Sequence, residues 1–344
     1  SEGSINVNEE FTRRTGIKVV YDIYDTNEIL YTKLKTGGAN YDVIIPSDYM
    51  IGKLAEEDML APLNFDNIPN AQYIDEQFKS KSYDPENRYT VPYTWGAVGI
   101  IYNKKYVTKP VDSWSLLWDE DYKGKILMFD NSRDAFALAQ LLLGQDVNTT
   151  SKADLDAANQ KLIDQKPLVQ DYIMDQVFNT MEHEEAWIAP YYAGDYLTMV
   201  DKNPDLAFCY PKEGYNLFID AMCIPKNAQN KEAAEKYINF LCDPEIMAQN
   251  LEFLGYSAPA TEAKQYMDPE TTENEVAYPP EDVLARGVAF ENLPTDTIQY
   301  MNDLFSSVKA SSSGWSLYIM IAIAVLLVAG GIVMIVRRKK RNSY

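Results

Sequence analysis

Four short stretches hold most of the side chains in this sequence that can do chemistry. They are Pro46-Ser47-Asp48-Tyr49, Asp130-Asn131-Ser132-Arg133-Asp134, Tyr191-Tyr192-Ala193-Gly194-Asp195 and Phe218-Ile219-Asp220. They offer carboxylates and aromatic rings, little basic character and no glycine-rich phosphate cradle. Arg133 is the exception, and its place at a helix start suits a structural ion pair as well as a ligand contact. Carboxylates beside aromatic faces lean toward a cationic ligand, while Asp134 and Asp220 also leave open a carboxylate-pair surface enzyme such as a glycosidase. Other chemistries have thin support. His183, the one histidine, sits among acids in MEHEEAW, and no GxSxG accompanies it. Cys209, Cys223 and Cys242 are odd in number, lie in apolar stretches and form no CxxC, so they read as buried free thiols. No metal site and no cofactor is expected.

Composition narrows the class. The chain has 344 residues with 31 basic and 51 acidic side chains, a net charge of -20. A nucleic-acid binder needs a positive footprint to displace counterions, so that class is excluded. At 46% hydrophobic and 12% aromatic the chain can bury a large core, and its length points to two domains.

The elements that must position those stretches alternate. Ile17–Asp25 (IKVVYDIYD) reads as a strand, Thr26 caps the helix NEILYTKLKTGG, and Tyr41–Ser47 (YDVIIPS) reads as a strand buried on both faces. The helix DYMIGKLAEEDML follows. Val91–Asn103 is longer than one ordinary strand. Lys125–Asn131 leads into the helix RDAFALAQLLLG, and DLDAANQKLIDQ is a second helix. AWIAPYYAGD, LAFCYPK and LFIDAMCIPKN read as strands with turns, and KEAAEKYINFLCDPEIMAQNLEFLG as one closing helix. This alternation predicts α/β architecture with largely parallel sheets. In such sheets ligands sit beyond the carboxyl ends of strands, where the four stretches fall.

The two ends differ from the rest. Trp315–Val336 is 22 residues without a charge, about 33 Å of helix and enough for a bilayer's hydrocarbon core. Trp315 and Tyr318 suit the outer boundary, and Arg337, Arg338, Lys339, Lys340 and Arg341 follow at once. The positive-inside tendency makes that end cytoplasmic and puts residues 1–310 outside. Residues 311–314 read as a flexible linker, 315–336 as one transmembrane helix and 337–344 as a cytoplasmic basic tail. A buried core helix rarely runs this long without polar residues. At the other end Ser1 is followed by no charged n-region or apolar h-region, so an upstream signal sequence, lipid anchor or span is expected.

Six stretches taken together resemble the spermidine/putrescine-binding protein family, the polyamine receptors of ABC importers. They are FTRRTGIKVVYDIYDTNEILYTKLKTG, YDVIIPSDYM, YTVPYTWGAVGIIYN, SWSLLWDEDYKGKILMFDNSRDAF, GYNLFIDAMCIPKNAQNKEAAEKYINFL and EFLGYSAPA, in family order over nearly all of residues 11–305. The resemblance implies a two-lobed periplasmic-binding-protein-like fold of type II. Residues 1–97 with 219–264 would form lobe 1 and 98–218 with 265–310 lobe 2, with Val91–Asn103 and the strand near Leu217–Ile224 as hinge crossings. It further implies a binding protein rather than an enzyme. That protein would be tethered to the cell membrane with its lobes on the extracytoplasmic side, and its partners would be an importer permease and its ATPase.

Carried over residue by residue, the resemblance implies nine ligand contacts. Ser47 and Tyr49 match first-lobe contacts, and Asn131 and Asp134 match a pair of acids at a helix start. Tyr192 matches an aromatic that stacks along the ligand. Phe218 and Asp220 match an aromatic-x-Asp element gripping an inner amine, and Tyr256 and Glu291 match contacts near one end. Asn131 stands where many members have an acid, Glu291 where some have an amide, and Phe218 where tryptophan is frequent. Family members begin with a strand ending in a loop of the NWxEY type. Here the sequence opens at SEGSINVNEEF, which implies an amino-terminal truncation lacking that strand. The nearest rival within the fold is a ferric-ion receptor using Tyr191 and Tyr192 as phenolates, and a surface adhesin is a third class.

Overall fold

The computed structural model describes residues 6–38 and 40–310. The expected transmembrane helix Trp315–Val336, its linker and its basic tail lie outside the described residues. Among the described residues no helix is long and apolar enough to cross a membrane.

Local signals set the first helices. Asn6 caps α1 (Val7–Thr15) by accepting from the backbone of Asn8 and Glu9, and Gly16 ends it in the left-handed region. Thr26 caps α2 (Asn27–Lys35) as expected. Between them the predicted strand does not form. Lys18–Tyr24 makes no backbone–backbone hydrogen bond among the described residues. Val20, Tyr21 and Ile23 are 85%, 72% and 65% exposed. β-branched composition favours extended backbone, but without a neighbouring ladder it does not make a strand. Tyr41–Ser47 is likewise no ladder strand. It touches the sheet through single bridges, Ile44 to Cys223 and Ser47 to Asp220, and then starts α3 (Asp48–Glu56).

The sheet is organised by β1 (Thr90–Asn103), 14 residues long. After it come β2 (Ile126–Phe129), α4 (Ser132–Leu142), α5 (Lys152–Gln165), β3 (Val169–Ile173), α6 (Val177–Glu182), β4 (Ile188–Tyr192) and α7 (Ala193–Val200). Next are β5 (Leu206–Cys209), β6 (Tyr215–Cys223), α8 (Lys231–Leu241), α9 (Pro244–Leu254) and β7 (Gly287–Val288), with a final helix at Thr295–Ala310. Strand order is β3-β2-β4-β1-β6-β7, with β5 also on β1. The expectation of largely parallel pairing holds only in part. β2 runs parallel to β3 and β4, and β6 to β7, but all three neighbours of β1 run against it.

Two further expectations are corrected. AWIAPYYAGD is strand only as far as Tyr192, because α7 begins at Ala193. The closing helix is two helices. Asp243 accepts from the backbone of Glu245 and Ile246, and Pro244 opens α9, so the chain restarts rather than continues.

Among the described residues three clusters of buried side chains form the core. The largest gathers Ala97–Ile101 of β1 with β2, β4, α4, α5 and the final helix. A second unites Val91, Met222 and Ile224 with α8, α9 and Phe11. A third packs Leu30, Ile44, Ile51 and Leu54 on Ala221 and Cys223. β1 and β6 therefore each thread more than one cluster. Cys223 and Cys242 are buried and Cys209 half-buried, all free.

Candidate functional site

A cavity of about 330 Å³ opens where three helices begin. α3, α4 and α7 each start at its wall, and each carries an acid in its first turn: Asp48, Asp134 and Asp195. A helix amino terminus carries partial positive charge, which alone would repel a cation. The first-turn carboxylates reverse that sign. Asp25, Asp175 and Asp220 also line the cavity, and no basic residue does among the described residues.

Eight of the nine residues named from the sequence line this cavity. Ser47, at the start of α3, donates from Oγ to Asp220 Oδ1 at 2.6 Å and accepts from Asn27 Nδ2 at 3.1 Å. Tyr49 donates to Glu28 at 2.9 Å and meets Phe290 edge to face at 6.1 Å. Asn131 spends its Oδ1 on capping α4, accepting from the backbone of Arg133 at 2.8 Å and of Asp134 at 3.4 Å. Asp134 is 6% exposed and accepts from the Tyr192 hydroxyl at 3.4 Å. Tyr192 stands edge-on to Phe218 at 5.5 Å, and Phe218 to Tyr256 at 6.3 Å. The aromatics thus form a continuous wall between the Asp134 end and Tyr256.

Two glycines let that wall close. A Cβ on Gly96 would lie 2.7 Å from the Phe218 ring. One on Gly194 would lie 2.8 Å from the Tyr256 ring and 2.9 Å from the Gly255 carbonyl. The small residue in YYAGD is therefore a packing requirement of the site.

Glu291 is the ninth, and the structure does not bring it in. Its side chain is exposed, and its backbone donates to Asn148 Oδ1 and accepts from Arg133. Its neighbour Phe290 lines the cavity instead. Arg133 turns away as well. Its guanidinium lies 4.5 Å over the Phe290 ring and donates to Val147 O at 2.9 Å and Asn148 Oδ1 at 2.7 Å.

Other site residues escaped the sequence reading. Asp48 and Asp195 stood in the four opening stretches, and an acid just after a strand and inside a first helical turn was the available signal. Asp48 accepts from the backbone of Tyr49 at 2.8 Å and Ile219 at 3.3 Å. Asp195 lies beside Tyr256 in the cavity wall. Asp175 accepts from the Tyr191 hydroxyl at 3.4 Å and follows β3, a strand whose half-exposed sequence gave no apolar run.

Burial makes these carboxylates reluctant to ionise. It pushes Asp48 up to about 8, Asp134 to about 7, Asp195 to about 7 and Asp220 to about 6. Nearby carboxylates add to the rise for the first three, while the hydroxyl of Ser47 works against it at Asp220. Carboxylates desolvated around a cavity that no basic side chain lines among the described residues suit a ligand that brings positive charge.

Comparison with known proteins follows the same line. The family described as bacterial extracellular solute-binding protein matches residues 6–280. The spermidine/putrescine-binding periplasmic protein of Salmonella typhimurium is 33% identical over 305 residues, covering 88% of this chain and 87% of that protein. The protein of the same description from Escherichia coli is 36% identical over 282 residues, 81% of each. Among solved structures, a putative spermidine/putrescine ABC transporter from Listeria monocytogenes superposes with a TM-score of 0.85 at 38% identity, covering 88% of this chain and 94% of that one.

Proposed function

We infer function from family: the chain belongs to the spermidine/putrescine-binding periplasmic proteins, within the bacterial extracellular solute-binding proteins, and we propose that its cavity captures a linear polyamine for an ABC importer. The family is one of receptors, not enzymes. The observation that carries the reading is the pairing of buried carboxylates with an aromatic wall, in a cavity that no basic residue lines among the described residues. A polyamine is a string of ammonium groups joined by methylenes. Asp134, Asp195 and Asp220 supply the counter-charges, and Tyr192, Phe218 and Tyr256 supply flat faces for the methylenes, each attracting a cation by about 0.5–2 kcal/mol. Ser47, Tyr49 and Asn131 shape the remaining wall.

In this reading residues 1–97 with 219–264 and 98–218 with 265–310 are two lobes joined through β1 and β6, which close on the ligand. Trp315–Val336 tethers the lobes on the extracytoplasmic face of the cell membrane, and the loaded lobes deliver to an importer permease and its ATPase. The ferric alternative meets an obstacle. Burial beside Asp195 and Asp175 pushes the Tyr191 phenol up, away from the phenolate that iron requires.

Calorimetry on the full chain with spermidine, putrescine, ferric citrate and an oligosaccharide tests the assignment. Saturable binding is expected with the amines alone. Saturation by iron or sugar with no response to either amine would overturn it. For the tether, the full chain is expected in the membrane fraction and a chain ending before Ser311 in the soluble fraction.

A further inference from the structure

Ser47 stands at the cap position of α3 and its side chain does not cap it. Serine there ordinarily accepts from the backbone N–H groups of the first helical turn, yet Ser47 makes no such side-chain bond. Its hydroxyl is committed elsewhere, donating to Asp220 Oδ1 at 2.6 Å and accepting from Asn27 Nδ2 at 3.1 Å. Asn27 opens α2 and lines the cavity beside Ser47. Its amide grips that residue twice, because Asn27 Oδ1 also accepts from the Ser47 backbone N–H at 3.2 Å.

Direction follows from what each group can do. A backbone N–H only donates, so the amide oxygen must face it and the amide nitrogen must face the hydroxyl. That nitrogen also only donates, so Ser47 Oγ accepts from it and keeps its own hydrogen for Asp220, whose ionised carboxylate only accepts. The row Asn27 Nδ2, Ser47 Oγ, Asp220 Oδ1 therefore runs one way, from α2 through the start of α3 to β6. A hydroxyl oxygen has two lone pairs, and Asn27 takes one of them. Resting on the polyamine reading above, we propose that Asn27 is a positioning residue. It fixes the direction of this row, so that the ammonium held at Asp220 meets Ser47 as an acceptor whose hydrogen is already turned to the carboxylate. A hydroxyl free to rotate would also point its hydrogen at the cation and repel it.

The test is titration with spermidine and putrescine of the full chain, of Asn27→Asp and Asn27→Ala, and of each combined with Ser47→Ala, with melting of every ligand-free protein. In Asn27→Asp the new carboxylate accepts from both the N–H and the hydroxyl of Ser47 and draws the hydrogen away from Asp220. Coulomb attraction alone would make an added negative charge tighten the binding of a cation. The proposal requires the opposite: spermidine affinity is expected to fall by about tenfold or more, the worth of a hydrogen bond to a charged group. Asn27→Ala should lose a similar amount. With Ser47 already replaced by alanine the row is broken, and neither change should cost more than about twofold. The ligand-free melting temperature of Asn27→Asp should stay near the wild type, since an acid in a first helical turn is favoured. Unchanged or tighter spermidine binding by Asn27→Asp, or the same loss with and without the Ser47 hydroxyl, overturns the proposal and leaves the polyamine reading intact. A wild-type chain that binds neither amine overturns both.

Discussion

The hydroxyl of Ser47 donates to the carboxylate of Asp220 at 2.6 Å across 173 positions of sequence. The bond joins the start of α3 to β6, and it is the polar contact that holds Asp220 facing the cavity. Asp220→Asn keeps the shape and removes the charge. Removing one partner of a buried charge pair costs about 2–5 kcal/mol, so spermidine affinity is expected to fall by roughly 30-fold to several thousandfold. Asp201→Asn, an exposed control, should change it little. A drop in ligand-free melting temperature with affinity intact would instead mark Asp220 as structural.

Stability should depend on pH in an unusual direction. Asp220, Asp134, Asp195 and Asp48 hold their protons up to about 6, 7, 7 and 8 in the folded protein, against 3.8 for an ordinary aspartate. Between those values the folded state binds protons the unfolded chain has released. Their contribution is therefore fully present below 3.8 and is lost as pH rises from about 4 to 8. Bound polyamine favours the ionised forms and cancels the loss. Melting curves from pH 5 to 8 should show the spermidine-induced stabilisation growing with pH. Stabilisation constant across that range would count against ionised carboxylates as the ligands.

Asp195 and Glu291 make opposite predictions. Asp195 lines the cavity and meets Tyr256, so Asp195→Asn should weaken spermidine binding by about 30-fold or more. Glu291 is exposed outside it, and Glu291→Ala should change affinity less than about twofold. Titrations of the two variants side by side decide whether the cavity or the family pattern is the better guide.

Gly194→Ala tests the aromatic wall. The new methyl meets the Tyr256 ring at 2.8 Å and backbone at 2.9 Å, and overpacking of this kind costs about 1–3 kcal/mol. Denaturant unfolding should read that loss, with a parallel fall in affinity as Tyr256 is displaced. Unchanged stability would mean the wall yields freely.

Much of this was legible. Val91–Asn103 stood out as longer than one ordinary strand, and the residues after Lys125–Asn131 as a helix with Asp134 near its start. What failed, failed for non-local reasons. Ile17–Asp25 has strand composition, but a strand exists only through a neighbour. Asp175 follows a half-exposed strand whose sequence has no continuous apolar run. Glu291 was placed by family pattern alone, and the loop carrying it turns Phe290 inward instead.

The unladdered segment between α1 and α2 bears on how the protein behaves in concentrated solution. A net charge of -20 keeps copies apart at low ionic strength, but physiological salt shortens that repulsion to about 8 Å. Inside that range, open backbone flanked by Val20, Tyr21 and Ile23 is a template on which a foreign strand can register. Self-association is then expected to start at this short stretch and to grow with salt, which light scattering over a salt series checks. A lysine at position 20 or 23 would raise solubility from a site that does not line the binding cavity.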